Sequence, residues 1–314
     1  MNNEIKLFDT AILLIVFNRL DTTKYVFDAI KKIKPSRFYI ASDGARELAN
    51  EKDKVDEIRN FIINSIDWDC DVKTLFREKN MSCGPSVKSA IDWFFSYEER
   101  GIILEDDTLP NKSFFNYAEE LLIRYENDYR IGMISGNNHI GESLNDESYL
   151  FSKFKYTWGW ATWKRAWSNM NLDMTWVRTN MKNSIISNMG YSNKSIVHWN
   201  HNINLVNTNK VNTWDYQWFL TLSSQNQLSI VPRNNLVSNI GFGNDATHTF
   251  GEANPEFLFQ KELEFPLKHP RYIVPYIEYE KEYEKEQIVN IPLWKKIIPR
   301  KIKNIIKILL LKKR

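Results

Sequence analysis

Three carboxylates stand side by side at Glu105, Asp106 and Asp107, directly after the apolar run Gly101-Ile102-Ile103-Leu104. Adjacent acids repel one another unless something positive lies between them. A hard divalent cation with oxygen ligands, shared with phosphate, is the usual solution. The apolar run suits a strand buried in the centre of a parallel sheet. Ligands of such sheets bind beyond the carboxyl ends of the strands, where this triplet would sit. Taken alone, the triplet also reads as a solvated acidic turn after a strand. A second acid weighs against that. Asp43 follows another apolar run, 37–41, on what should be the same sheet edge. Carboxylates converging there can hold a metal and a ribose together.

The spacing of apolar residues predicts the elements that would carry these groups. Residues 11–17 read as a buried strand, with Asn18 and Arg19 after it and a helix from Asp21 to about Lys34. Strands are expected at 37–41 and 71–76, with helices at about 47–65 and from Pro85 to Tyr97. That βαβαβαβ order predicts an α/β fold with a mainly parallel mixed sheet flanked by helices. Beyond the triplet a helix is expected at about 111–125, a strand at Ile131–Ser135 and a helix near 215–225. Residues 150–220 are less regular and rich in Trp, and are expected to form the acceptor half of a site.

Further residues could do chemistry. In Thr157–Trp167, Gly159 lies between Trp158 and Trp160 and would let backbone pass close to a ligand. Trp158, Trp160 and Trp163 offer flat faces to a sugar ring, or pack a core. Asp215 between Trp214 and Tyr216 is a candidate general base, since apolar surroundings raise a carboxyl pKa; a helix cap is the alternative. Residues 239–248 form a glycine-bearing polar loop that ends in His248. Asn137, Asn138 and His139 follow the 131–135 strand and are expected to face the same site. Cys83 is expected in a turn rather than in catalysis.

Val16-Phe17-Asn18-Arg19, Ser42-Asp43-Gly44, Leu104-Glu105-Asp106-Asp107 and Trp158-Gly159-Trp160-Ala161-Thr162-Trp163 occur in this order, with Trp214-Asp215-Tyr216-Gln217-Trp218 as a looser fifth stretch. In order and spacing, over roughly residues 8–250, the set resembles bacterial glycosyltransferases of the GT-A nucleotide-diphospho-sugar transferase fold. In particular it is similar to relatives of the β-1,2-N-acetylglucosaminyltransferase I group. The resemblance implies an inverting sugar transfer from a nucleoside diphosphate, UDP by preference, to a hydroxyl of a glycan or lipid-linked acceptor. It implies Mn²⁺ or Mg²⁺ on Asp107, with His248 as a further metal ligand. Arg19 and Asp43 would meet the nucleoside or diphosphate, and Glu105 and Asp106 the sugar and ribose, with Gly159 and Trp160 beside the donor. The base of the family maps to Asp215, but alignment on Trp218 would bring Gln217 there instead, and Gln cannot act as a base. A sugar-phosphate nucleotidyltransferase would share the sheet but normally carries a glycine-rich loop after the first strand, and residues 18–21 here contain no glycine. A non-catalytic nucleotide-sugar or carbohydrate-binding protein at a membrane surface is the alternative of another class. A metal-dependent phosphoesterase would need more clustered His and Asp ligands.

Composition bounds the rest. The chain has 314 residues, 43% of them hydrophobic, so it can bury a sizeable core. Net charge is +3, yet residues 291–314 alone hold nine Lys and Arg and no acid, which leaves the first 290 residues at −6. Global basicity therefore gives no reason to expect nucleic acid. Cys70 and Cys83 are too few for a disulfide framework. Met1 to Asp9 lacks a long apolar stretch, so a secretory leader is not expected. Ile302, Ile305, Ile306 and Leu309 share one helical face with Lys303 and Lys307 on another, as in a helix lying on an anionic membrane. The expected organisation is a GT-A domain over 1–275, a charged and solvated helical linker over 276–290, and a basic amphipathic helix over 291–314. It would be peripheral at the cytoplasmic face of the cell membrane.

Overall fold

The structure, a computed structural model, describes residues 8–140, 146–208, 212–241 and 260–289. Its first half alternates strand and helix: β1 (Ile12–Val16), α1 (Leu20–Ile33), β2 (Arg37–Ser42), α2 (Glu51–Ser65), β3 (Asp71–Phe76), α3 (Cys83–Tyr97) and β4 (Arg100–Glu105). These four strands lie parallel in the order β3-β2-β1-β4. Val16 pairs with Ser42 and Ile15 with Glu105, so the register brings Asp106 level with Val16 and Ser42, and Asp107 level with Phe17 and Asp43, at one edge of the sheet.

Alternate residues of each strand face opposite layers. Ile12, Leu14 and Val16 pack with Phe38, Ile40, Ile102 and Leu104 under α1 and α2. Leu13, Ile15, Tyr39 and Ile103 pack on the other face against Val87, Ile91 and Phe94 of α3. The result is helix, sheet and helix in three layers, as the sequence pattern predicts.

The second half departs from that regularity. After β5 (Thr108–Pro110) and α4 (Lys112–Arg124) come β6 (Ile131–Ser135), β7 (Tyr149–Ser152), β8 (Trp160–Trp163) and the short α5 (Lys164–Trp167). Then follow α6 (Lys182–Ser187), α7 (Asn193–Asn207), α8 (Asp215–Ser224), β9 (Leu228–Pro232) and β10 (Val237–Asn239). Strand β8 runs antiparallel between β4 and β6 in the middle of the sheet, so the described sheet reads β3-β2-β1-β4-β8-β6-β9-β7. Helices α6, α7 and α8 enclose a smaller core around Trp199, Ile203 and Phe219.

Residues 260–289 return as a strap. Glu262 accepts from the backbone N of Ser113 at 2.7 Å, capping the start of α4 with negative charge. The strap ends in α9 (Ile277–Glu284) and a π turn over Lys285–Val289. The expectation of a solvated charged helix is corrected here. Tyr279, Glu280 and Glu284 are buried, Glu280 completely. Glu280 accepts from Ser152 Oγ at 2.5 Å and from the N of Lys153 at 2.9 Å, and Glu284 accepts from the N of Tyr191 at 2.9 Å and from Ser192 Oγ. Two acids with those partners dock the helix that their composition would leave in water. The basic segment 291–314 lies outside the described residues.

Candidate active site

A cavity of about 360 Å³ opens beyond the carboxyl ends of β1, β2 and β4. Arg19, Asp43, Glu105, Asp106, Asp107 and Asp215 all line it. The chain brings them together because the parallel register ends three strands at one level and α1 begins at once after Arg19. The carbonyl of Arg19 accepts from the N of Thr23 at 3.1 Å and from Thr23 Oγ1 at 2.6 Å, fixing its backbone at the helix start.

Arg19 Nη2 reaches Asp106 Oδ1 at 2.5 Å and Asp107 Oδ2 at 2.9 Å. Burial works against the guanidinium charge, yet the two carboxylates outweigh it and its pKa is raised. Burial pushes Asp106 up to about 6 against the pull of Arg19, and Asp107 adds to the rise. Glu105 is raised well above the usual carboxylate range, by burial first and then by Asp107, Asp106 and Asp215. Gly241 closes over this group: a Cβ there would overlap the Asp107 carboxylate and Arg19 Nη1.

Asp43 is held by backbone. Its carboxylate accepts from the N of Gly44 at 3.0 Å and from the N of Met81 at 3.0 and 3.1 Å. Burial raises its pKa, and those bonds oppose the rise. The loop Asn80–Ser82 thereby becomes a wall of the cavity, contributing Asn80 and Ser82. Its continuation touches the far wall, where Asn212 Oδ1 accepts from the N of Gly84 at 3.3 Å.

Asp215 begins α8 beside the cavity. Its Oδ1 accepts from Thr213 Oγ1 and from the N of Tyr216 at 2.9 Å. Trp214, not Asp215, is the residue before the helix. Gln217 is buried and does not line the cavity, so the alignment that would bring it to the site finds no support in its position. Cys83 opens α3 rather than lying in a turn. Burial, with Glu105, Asp215 and Asp43 adding, pushes its thiol up to about 12, so it stays protonated.

Other expected residues lie elsewhere. Trp160 is wholly buried among Trp167, Trp214 and Trp218, its ring 5.7 Å from that of Trp214. Its strand β8 turns it to the core, so it is not on the cavity wall. Gly159 has φ +60, and a Cβ there would press on Val237, so it serves the close approach of β8 and the 237 strand. Trp158 does line the cavity. Asn137 and Asn138 are tied away from it, donating to the carbonyl of Val237 at 2.8 Å and of Pro232 at 3.0 Å. His139 stacks on Tyr156 at 4.0 Å, and desolvation pushes its imidazole down to about 3. His248 lies outside the described residues.

Phe17, Asn18 and Arg46 also line the cavity, and sequence reasoning gave Asn18 and Arg46 no role of this kind. Their support is Glu51, the first residue of α2, which is 5% exposed. A turn holding an Arg and a Glu five residues apart carries no signal that separates such a clamp from a surface ion pair.

Among the described residues no three His, Cys, Asp or Glu side chains converge to hold a metal. An ion enclosed by protein ligands alone therefore does not fit the described residues. The oxygen-only donors and the five acids against two arginines on the wall do fit a hard ion that takes one or two carboxylates and completes its shell with substrate phosphate.

No protein-family model matches the chain, and no curated protein matches it. Among solved structures, a 4-diphosphocytidyl-2C-methyl-D-erythritol synthase from Anaerococcus prevotii is 10% identical over 51% of this chain and 74% of that one, with a TM-score of 0.33. HddC from Yersinia pseudotuberculosis is 13% identical over 43% and 68%, with a TM-score of 0.27. An apo UDP-glucose pyrophosphorylase is 11% identical over 73% and 93%, with a TM-score of 0.33. Likeness at these scores bears on neither activity nor substrate.

Proposed function

We propose that this chain is an inverting, metal-dependent glycosyltransferase that moves a sugar from a nucleoside diphosphate, UDP by preference, to a hydroxyl of a glycan or lipid-linked acceptor. One observation carries the reading: Arg19, Asp43 and Asp107 share a single cavity with Asp215. The first three have the charges and the fixed geometry to hold a nucleotide, and the last is a carboxylate able to take a proton. In this reading Asp43 holds the nucleoside, and Arg19 meets the diphosphate. Asp215, with Oδ1 already bonded, offers Oδ2 to the acceptor hydroxyl proton. Asp107 would hold Mn²⁺ or Mg²⁺, which would supply positive charge against the leaving diphosphate, with Glu105 and Asp106 facing the sugar and ribose.

The rival nucleotidyltransferase reading is weakened by the strand-to-helix connection. Only Phe17, Asn18 and Arg19 separate β1 from α1, with no glycine-rich loop to wrap phosphates. Calorimetric titration of UDP and a panel of nucleotide sugars, with and without Mn²⁺, on wild type and Asp107→Ala tests the proposal. Metal-dependent binding lost in the variant, with sugar release in the presence of an acceptor, is the expected result. Sugar-nucleotide binding without turnover would favour the non-catalytic alternative, and no nucleotide binding by folded protein would sink both.

The setting is proposed on composition alone. The basic segment 291–314 would hold the enzyme at the cytoplasmic membrane face, where lipid-linked precursors are found. No described helix is long and apolar enough to cross a membrane. Cosedimentation with anionic vesicles, lost on removal of 291–314, is the expected outcome.

A further inference from the structure

We infer that Arg46, gripped by Glu51 and laid over Phe17, forms with Asn18 a recognition clamp for the nucleobase of the donor. The inference rests on the nucleotide reading of this cavity and assigns one end of it.

The geometry is that of a built site. Glu51 is almost fully buried, yet it is not itself on the cavity wall. It accepts from the N of Arg46 at 2.7 Å, from Arg46 Nε at 2.9 Å and from Arg46 Nη2. Glu51 Oε1, which Arg46 Nη2 also reaches, accepts from Asn18 Nδ2 at 2.9 Å. Those bonds to Arg46 hold the Glu51 carboxyl below its ordinary range, against the effect of burial. One buried anion thus fixes two polar side chains that face the cavity. A carboxylate only accepts, so Asn18 must turn its amide nitrogen to Glu51, leaving Oδ1 as an acceptor. Arg46 keeps Nη1 as a donor. Its guanidinium lies 5.2 Å from the centroid of the Phe17 ring, also on the wall.

The ligand chemistry follows. A flat surface bearing one donor and one acceptor suits a planar heterocycle with a carbonyl beside an N–H. Phosphate is the competing ligand for any arginine. Here the Arg46 charge is already met by Glu51 at close range, so little of it remains for an anion. Arg19 stands nearer the triplet and is the better phosphate partner. The planar fork is what Arg46 contributes, and lysine cannot replace it.

The test uses the full chain with UDP, titrated calorimetrically, and saturation-transfer NMR to the uracil and ribose protons. Arg46→Ala and Arg46→Lys should each weaken UDP about tenfold, the worth of one buried polar contact. Saturation transfer to the uracil protons should fall relative to ribose in both. Recovery of wild-type affinity by Arg46→Lys would mean that charge alone suffices, and would overturn the clamp. UDP binding untouched by either variant would overturn it while leaving the nucleotide site standing. A folded wild type that binds no nucleotide would remove the site and the clamp together. Half of the Arg46 side chain is in solvent, so both variants are expected to fold.

Discussion

The strands β3-β2-β1-β4 and the strands β8-β6-β9-β7 both surround buried charge, but they treat it differently. In the first half, Asp43, Glu105, Asp106 and Asp107 gather at one strand edge and face a cavity, with Arg19 between the last two. In the second half, Lys155, Glu280 and Glu284 are buried away from that cavity and are met by hydroxyl and main-chain groups. Lys155 Nζ donates to the carbonyl of Lys153 at 2.5 Å and to Ser223 Oγ at 3.0 Å. A buried carboxylate that faces open space can meet a ligand itself. Where serines and backbone surround it, it docks one part of the chain on another.

That contrast can be broken. The largest effect is expected at Asp215→Asn, which should lower kcat by ~10²–10⁴ for a lost general base. UDP affinity should be unchanged, and an equal loss of UDP binding would return Asp215 to a purely structural role. Next come two tryptophans two residues apart. Trp160→Ala should cost ~3–5 kcal/mol in urea unfolding, because it empties the core between β8 and α8. Trp158→Ala should leave stability near wild type and weaken sugar binding about three- to tenfold, the scale of one stacking contact. Reversed outcomes would exchange their assignments.

A smaller effect concerns pH. Burial lowers Lys155 from 10.5 to about 7, although Glu280 pulls the other way. Between those values the unfolded chain binds the extra proton, so this group's contribution to stability rises with pH over the window. Below about pH 7 a charged lysine is buried and its cost is complete. Lys155→Met should therefore gain most over wild type below pH 7 and lose that advantage towards pH 10 in denaturation series. A constant difference across pH would show that the amine is solvated. Gly241→Ala tests the nucleotide site by crowding, since its methyl would overlap the Asp107 carboxylate, Asp107 Cβ at 2.7 Å and Arg19 Nη1. Asp107 Cβ is fixed to the backbone, so nucleotide affinity and melting temperature should both fall.

The first half was legible because β1, β2 and β4 are built on apolar runs and the helices between them keep helical spacing. The expected strand 131–135 coincides with β6, and 71–76 with β3. The shared edge of Asp43 and the triplet followed from parallel topology alone. The Trp stretch misled for a physical reason. Four residues are too short to show a strand period, and large flat side chains look alike whether they meet a sugar or a core. In β8 the alternation sends Trp160 to one layer and Trp163 to the other, where its Nε1 donates to the carbonyl of Leu122 at 2.9 Å. Glu280 and Glu284 were hidden by composition, since their partners lie more than 90 residues away in the chain. Asn80, Ser82 and Arg46 sit in loops whose shape is set by Asp43 and Glu51, which no local pattern encodes.

The antiparallel insertion of β8 also sets an order of events at the ribosome. When β4 has been made, its outer edge has no partner. The strand that covers it begins at residue 160, more than fifty positions later. During that interval the nascent sheet carries a bare, apolar edge in the middle of its future width, the kind of edge that pairs with other chains. Closure is a long-range step of high contact order and should be slow. A fragment ending near residue 140 would keep β1 to β4 with that edge open and should aggregate, whereas one extended past Trp163 should hold it shut.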